Sequence, residues 1–496
     1  MNPQPAFVFD IESDALLDAV RKVHCIVVHD LTTGRFYRFN SVGTGDGSIE
    51  QGLELLSTGE LLIGHNIVAF DIPALKKLYP WFNPKAKLRD TLVCSRVIWP
   101  DRYDLIFKDG RAGVPSSLRG LHSLKAWGYR LKELKGDFGS DPEDAEKVWE
   151  EWSQEMEDYC VQDVVVTTKL WRLIESKQWS EESLELEHRF RALIALQENH
   201  GWRIDVAETQ QLYTTLAKRR LELETELQRV FPPKEKPMKL PAYYEDAFGN
   251  RYATKKEAPK GVQLSAGPAR VKLIPFNPNS NDQIAARLTE KYGWKPTEFT
   301  DGGKPKITDE ILGAMVYPEA KPLAEFLMVQ KRIGQVAEGE QAWLKLERNG
   351  RIYGSVTTNG AVTGRCAHRN PNVAQVPSVS KGKNGVLMGS EGGYGWECRY
   401  VWKADDGWVL VGCDASGLEL RCLAHFMGRY DGGAYAKILL EGDIHSENQR
   451  AAGLPTRDNA KTFILIKDDL GETPRLNLCE LSETPKSGNT EPSQKF

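Results

Sequence analysis

Ala6-Phe7-Val8-Phe9-Asp10-Ile11-Glu12 is a short apolar run that closes on two acids. It reads as a β-strand, and side chains two apart on a strand share a face, so Asp10 and Glu12 project together into one pocket. Taken singly, such acids cap a strand or sit in solvent. Their weight comes from the rest of the chain. Asp71 follows a Gly64-His65-Asn66 turn, Asp90-Thr91 follows another loop, and Tyr159 and Asp163 lie four apart on one helical face. Four converging carboxylates (Asp10, Glu12, Asp71 and Asp163) repel one another unless divalent cations neutralise them. Oxygen-only donors favour Mg²⁺ or Mn²⁺ over zinc. Two such ions about 3.5–4 Å apart activate a water and stabilise a leaving 3′-oxygen in phosphodiester cleavage. Tyr159 is placed to orient that water.

Around this constellation the first segment reads as α/β. His24 to His29 predicts a second strand, Leu61 to Gly64 another, and Ile72 to Leu78 a helix. Helices are predicted over Glu143 to Ile174, over Glu181 to Glu198 with Asn199-His200-Gly201 as its stop, and over Leu212 to Val230. From Pro232 to Pro275 the composition is rich in Lys, Pro, Gly and Tyr and predicts a loop or small hairpin. Helical pattern returns over Asp282 to Tyr292 and Pro322 to Arg348. Strands and turns follow Gly350, Trp408 to Cys413 reads as a buried strand, and Leu418 to Arg429 as a helix. From Lys467 the polar composition predicts disorder.

The 496 residues allow about three domains, and 41% hydrophobic content supports sizeable cores. A net charge of −4 places any basic track for nucleic acid locally rather than globally. Eight cysteines without a C-x-x-C pair suggest neither a zinc site nor a disulfide framework. No stretch reads as a signal peptide or approaches 18 apolar residues, so no membrane partner is expected.

Phe9-Asp10-Ile11-Glu12, Gly64-His65-Asn66 through Asp71-Ile72-Pro73-Ala74-Leu75, and Tyr159-Cys160-Val161-Gln162-Asp163 resemble the three exonuclease motifs of the DnaQ-like superfamily. Ala126-Trp127-Gly128-Tyr129-Arg130-Leu131 is similar to the proofreading domain of family A DNA polymerases from T-odd-type phages. The resemblance implies metal ligands at Asp10, Glu12, Asp71 and Asp163, Tyr159 as water-positioning partner, and Asn66 as a contact to DNA. Thr363-Gly364-Arg365 with Pro371-Asn372-Val373-Ala374-Gln375-Val376-Pro377 resembles the segment that grips primer–template, with Arg365 and Gln375 at the minor groove. Val409 to Arg421 looks like the first palm motif, with Asp414 as metal-holding carboxylate and Glu419 at the sugar pocket. Gly442-Asp443-Ile444-His445 and Arg457 to Ile464 resemble the start of the fingers. Arg457 and Lys461, four apart, face one way and suit a triphosphate.

The resemblance spans about residues 6 to 464. It implies an RNase H-like exonuclease with a mixed sheet flanked by helices (1–178), then a helical thumb with connecting helices (179–350). An incomplete α+β palm and start of fingers (351–464) and an unrelated tail (465–496) complete the expected organisation. After Ile464 the family pattern stops, and no His-Asp-Glu turn follows to supply a second palm carboxylate. Nucleotide addition by this chain alone is therefore not expected, and a frameshift or intron read-through is the reading of the switch at Leu465. The function implied is phage replicative DNA synthesis with 3′→5′ proofreading in the infected bacterial cytoplasm. A stand-alone 3′→5′ exonuclease or an inactive DNA-binding fragment remains the alternative. Two Mg²⁺ or Mn²⁺ per active site, a single-stranded 3′ end, primer–template and dNTP are the implied partners. The 232–275 stretch lacks room for a thioredoxin-binding thumb insertion, so that processivity factor is not expected.

Overall fold

The computed structural model describes residues 5–101, 113–139, 147–300, 302–415, 417–443, 446–447, 449–450 and 453. The chain divides into two compact units, Met1–Glu222 with Met328–Lys403, and Leu223–Leu327 with Ala404–Phe496.

The first unit is built on a five-stranded mixed sheet: β1 (Ala6–Ser13), β2 (Val23–Asp30), β3 (Phe36–Asn40), β4 (Leu61–Gly64) and β5 (Lys87–Asp90), in the order β3-β2-β1-β4-β5. β1 runs antiparallel to β2 and parallel to β4, so the predicted strand is paired on both edges. Both faces are covered. Phe7, Phe9 and Ile11 point into a core shared with the helices α1 (Ile49–Ser57) and α2 (Asp71–Leu78). Val8 points the other way, into a core with Cys94, Trp127, Cys160 and Val164, from α3 (Thr91–Ile98), α4 (Leu124–Leu131) and α5 (Gln154–Glu175). Period-two alternation then puts Asp10 and Glu12 on the α5 side with Val8.

α5 is 22 residues long and begins later than its charge-rich lead-in suggests. Ser153 caps it, its hydroxyl accepting from the Met156 N–H at 3.1 Å. Lys147–Trp149 forms a short 3₁₀ turn before it, and 140–146 lie outside the described residues. Met156, Cys160, Asp163, Val164 and Thr167 are buried on the face that meets the sheet. α6 (Glu181–His200) ends at Gly201 with φ +67, and α7 (Val206–Val230) starts earlier than the sequence pattern predicts. The long helix predicted over 322–348 is broken. Ala320–Ile333 is α-helical, Gly334–Glu338 is a π turn, and Trp343–Leu346 is a separate short helix.

In the second unit, Pro232–Pro275 forms an antiparallel ribbon of Lys234–Pro241 with Ala269–Ile274, plus a small three-stranded sheet between its arms. The Trp408–Cys413 stretch forms no strand. Trp408 is 76% and Val411 85% exposed, and among the described residues no strand pairs with it. Apolar composition alone does not make a buried strand; backbone partners do. Leu418–Asp431 is helical as predicted.

Candidate active site in the first unit

Three elements deliver the acids. β1 presents Asp10 and Glu12, α5 presents Tyr159 and Asp163, and α2 opens with Asp71. Gly64 permits the tight turn before α2. A Cβ there would lie 2.2 Å from Ile67 Cγ2 and 2.9 Å from the Phe9 carbonyl oxygen. Asn66 takes a left-handed φ of 71, a conformation asparagine tolerates. Its backbone N–H donates to Asp90 Oδ1 at 2.8 Å, and the Val68 N–H donates to Asp90 Oδ2 at 3.1 Å. Asp90 also caps α3 through the Leu92 N–H at 2.9 Å. This buried carboxylate thus braces the Asn66 turn, and its charge also acts on Asp71.

The four predicted acids come together. One carboxylate oxygen of Asp10, one of Glu12 and the Cys160 sulfur lie within 4.8 Å of one another. Asp10 is acted on by the charges of Asp71, Asp163 and Glu12. Burial, then this repulsion, raises the Asp10 carboxyl well above its usual range. Burial and the Asp163 charge push Glu12 to about 8. Burial pushes Asp71 to about 7, against a hydrogen bond from the Ile11 backbone. Asp163 is raised by burial as well, with Lys135 opposing. Two like charges 4.8 Å apart repel by about 3.5 kcal/mol at an effective dielectric near 20. The cluster is therefore frustrated without added positive charge.

Among the described residues one cation ion-pairs with this cluster, and the sequence pattern did not flag it. Lys135 ion-pairs with Asp163 and lies 4.5 Å from the centre of the Tyr159 ring. Burial alone would lower the Lys135 ammonium, but Asp163, Tyr159 and Asp10 hold it above its ordinary value. Tyr159 packs against Phe138 and Trp149, and burial and Asp163 push its phenol to about 12. One lysine cannot balance four carboxylates. Asp163 Oδ1 is buried without a hydrogen-bond partner, a state that costs about 1–3 kcal/mol for a neutral group and more for a charged one. These oxygens fit a hard divalent cation. Burial raises the Cys160 thiol well above its usual value, and its soft sulfur is a poor match for a hard cation that prefers oxygen.

A cleft of about 1020 Å³ opens beside the cluster. His65, Asn66, Phe70, Lys125 and Lys135 line it, together with Ser355, Thr357 and Arg369. The last three belong to a hairpin of Ser355–Thr357 with Ala367–Arg369. His188, from α6, accepts the Asp90 N–H at Nε2 (2.7 Å) and so ties α6 to the base of the site. Nothing in local pattern marks Lys135 or His188, and the sequence shows Asp90 only as an acid after a loop. Each acts through a partner from another element.

A model of DNA polymerase family A matches residues 260–461. The DNA-directed DNA polymerase of Escherichia phage T7 is 39% identical to the chain over 540 aligned residues, covering 92% of the chain and 74% of the phage protein. The chain belongs to DNA polymerase family A. It is a phage-type DNA-directed DNA polymerase. The corresponding polymerase of Enterobacteria phage T3 is likewise 39% identical over the same shares of both chains. Among solved structures, the POL domain of Pol1 from M. smegmatis, in complex with DNA primer-template and dNTP, superposes with a TM-score of 0.57. That match covers 93% of the polymerase and 67% of the other chain at 15% identity, which speaks to fold.

The residues predicted for nucleotide addition are divided between the two units. Arg365 is exposed in the loop of the Ser355–Arg369 hairpin, its carbonyl accepting from the Ala361 N–H at 3.0 Å. Gln375 is exposed in a 3₁₀ turn, and its carbonyl accepts from Gln335 Nε2 at 3.2 Å. Both stand in the first unit. Asp414 and Glu419 are exposed in the second, Glu419 in the first turn of Leu418–Asp431. His445, Arg457 and Lys461 lie outside the described residues. Seven cysteines are free, Cys479 lying outside the described residues, and no helix among those residues is long and apolar enough to cross a membrane.

Proposed function

We propose that residues 1–178 of this polymerase form an RNase H-like 3′→5′ proofreading exonuclease that removes mispaired nucleotides with divalent metal ions, Mg²⁺ or Mn²⁺. The observation that carries this reading is the convergence of Asp10, Glu12, Asp71 and Asp163 with one Asp163 oxygen buried and unsatisfied. The mixed sheet order, with its central strand bearing two acids, supports the same fold assignment.

In this reading the four carboxylates hold a pair of cations. Once bound, the cations supply charge at the scissile phosphate and acidify the attacking water. Tyr159, at about 12, keeps its proton at neutral pH. It orients the water by hydrogen bonding and does not act as the base. The cleft beside Asn66 and Phe70 takes the 3′-terminal nucleotide, and its lysines face the strand's phosphates. Cleavage joins the water oxygen to phosphorus and breaks the bond to the 3′-oxygen, which takes up a proton. A nucleoside 5′-monophosphate leaves a strand shorter by one.

For synthesis by the complete enzyme, which this chain alone is not expected to carry out, the reading assigns Arg365 and Gln375 to the primer end, Glu419 to the sugar, and Asp414 to a metal. His445, Arg457 and Lys461 are assigned to the incoming dNTP. The complex of the M. smegmatis domain with primer-template and dNTP supports these ligand classes.

Release of the 3′-terminal nucleotide from an end-labelled single strand in Mg²⁺ tests the nuclease. Asp10→Ala with Glu12→Ala removes two ligands and lowers the rate about a thousandfold, equivalent to about 4 kcal/mol of transition-state stabilisation. Undiminished release by a folded double variant defeats the assignment.

A further inference from the structure

The turn at Asn66 and the Ser355–Arg369 hairpin both line the cleft, are far apart in sequence, and are both fastened to α6. On the turn side, His188 Nε2 accepts the Asp90 N–H at 2.7 Å, and the Asp90 carboxylate in turn holds the Asn66 and Val68 N–H groups. His188 Nδ1 lies 2.6 Å from the Leu184 carbonyl oxygen, which makes Nδ1 the donor and Nε2 the acceptor. On the hairpin side, Glu198 Oε1 accepts the Val356 N–H at 2.7 Å, while its Oε2 accepts from Arg191 Nη1 at 2.7 Å. Glu187 Oε2 accepts from Asn359 Nδ2 at 2.6 Å.

Helix geometry explains how one element does this. Eleven residues make about three turns, so Glu187 and Glu198 lie on one line of α6 about 16 Å long and pin the hairpin twice. His188 lies about 100° round the helix from Glu187, toward Asp90. The hairpin strands pair only with each other. An edge N–H such as that of Val356 needs a partner from elsewhere, and Glu198 supplies it. The cleft, at about 1020 Å³, matches the upper end of pockets that enclose one small molecule, about 300–1,000 Å³. That is room for the end of one strand and not for a duplex.

On the exonuclease reading, on which this rests, we propose that α6 sets the fit of the cleft and with it the preference for an unpaired 3′ end. His188 and Glu198 are its positioning residues. With turn and hairpin held to one helix, the cleft does not widen to admit a second strand, and a paired end has to separate before it enters. Freeing either attachment lets turn and hairpin part. Neither residue is needed for the chemistry at the acids; both decide which ends reach it.

The test follows release of the 3′-terminal nucleotide by the full chain in Mg²⁺ from one labelled strand, alone and fully paired. It is read as the ratio of the two kcat/KM values, in which a common loss of catalytic power cancels. His188→Ala and Glu198→Ala each lower the ratio about tenfold, through a higher KM for the single strand and faster attack on the paired end. His188→Gln and Glu198→Gln keep an acceptor and hold it within about twofold of the parent. The double alanine variant is no worse than either single one, because one freed attachment already opens the cleft. An unchanged ratio in the folded alanine variants overturns the proposal. So does strict additivity of the two, which makes them separate local effects. Parental release that fails in Mg²⁺, or survives Asp10→Ala with Glu12→Ala, defeats the exonuclease reading and the proposal together; normal parental release with unchanged selectivity defeats the proposal alone. Amide hydrogen exchange on the unaltered protein is free of folding defects. The Asp90 and Val356 N–H groups exchange as slowly as those between β1 and β2, and fast exchange at either overturns the assignment.

Discussion

Asp10 and Asp414 both follow apolar, strand-like runs, yet the structure treats them in opposite ways. β1 is paired on both edges and covered on both faces, so Asp10 enters a half-buried pocket shared with three other acids. The run before Asp414 has Val409 at 79% and Val411 at 85% exposure, and pairs with no strand among the described residues. A carboxylate becomes a chemical group of unusual affinity only when a scaffold removes it from water and sets others beside it. One of these two aspartates has that scaffold here.

The sharpest break of this contrast is a matched pair of substitutions. Asp163→Asn removes the acid whose Oδ1 is buried and unpaired, and is expected to lower 3′-terminal release by about a hundredfold or more, some 2.7 kcal/mol. Asp414→Asn alters an exposed side chain in the other unit and leaves that release unchanged. Equal losses in an end-labelled assay would mean the two carboxylates act on one reaction.

Lys135 offers the next test. Its side chain is 20% exposed and Asp163 is 4% exposed. Breaking a buried pair by removing one partner costs about 3–5 kcal/mol, and partial exposure reduces this to about 2–3 kcal/mol for Lys135→Met in EDTA. Mg²⁺ restores part of the loss by replacing the missing charge. Urea titrations with and without Mg²⁺ measure both effects. A Lys135→Met protein as stable as the parent in EDTA would show that the cluster needs no resident cation.

How much of this site was legible follows from what each residue depends on. Asp10 with Glu12 obeys the two-residue period, and Tyr159 with Asp163 the four-residue spacing, so both pairs can be read along the chain. Asp71 is recognisable from the Gly64 turn that precedes it. Lys135 lies past the end of α4 and acquires meaning only when α5 packs beside it. Asp90 looks like a loop acid, and its work as a brace rests on N–H groups at Asn66 and Val68. In the fold, the lead-in to α5 is rich in residues of good helix propensity, but the Ser153 cap fixes the start. The 408–413 run shows the reverse error: strand-like composition without partners to pair it.

Acidity should sharpen the contrast further. In the metal-free protein, folding raises Glu12 from 4.5 to about 8 and Asp71 from 3.8 to about 7. Between those limits the folded state binds more protons than the unfolded one, so stability falls as pH rises through this window. Divalent cations bind the charged carboxylates, and Mg²⁺ therefore raises the melting temperature more at about pH 8 than at about pH 5.5. Thermal melts of the parent and Asp163→Asn, with and without Mg²⁺, check it. A Mg²⁺ effect independent of pH would mean these acids are already charged in the metal-free state.

The smallest expected effect lies with two valines. Val27 pairs with Asp10 across β1 and β2 and is 0% exposed, while Val411 is 85% exposed three residues before Asp414. Val→Thr changes shape little and adds a hydroxyl. At Val27 that hydroxyl enters a core lined by Val8, Cys25 and Ile63. Without a partner there it costs about 1–3 kcal/mol. At Val411 the hydroxyl stays in water, and the change falls within about 0.5 kcal/mol. Urea midpoints with unchanged slopes would give both values. If Val411→Thr cost as much as Val27→Thr, the segment before Asp414 would have to be packed, and the contrast between the two aspartates would fail at its structural root.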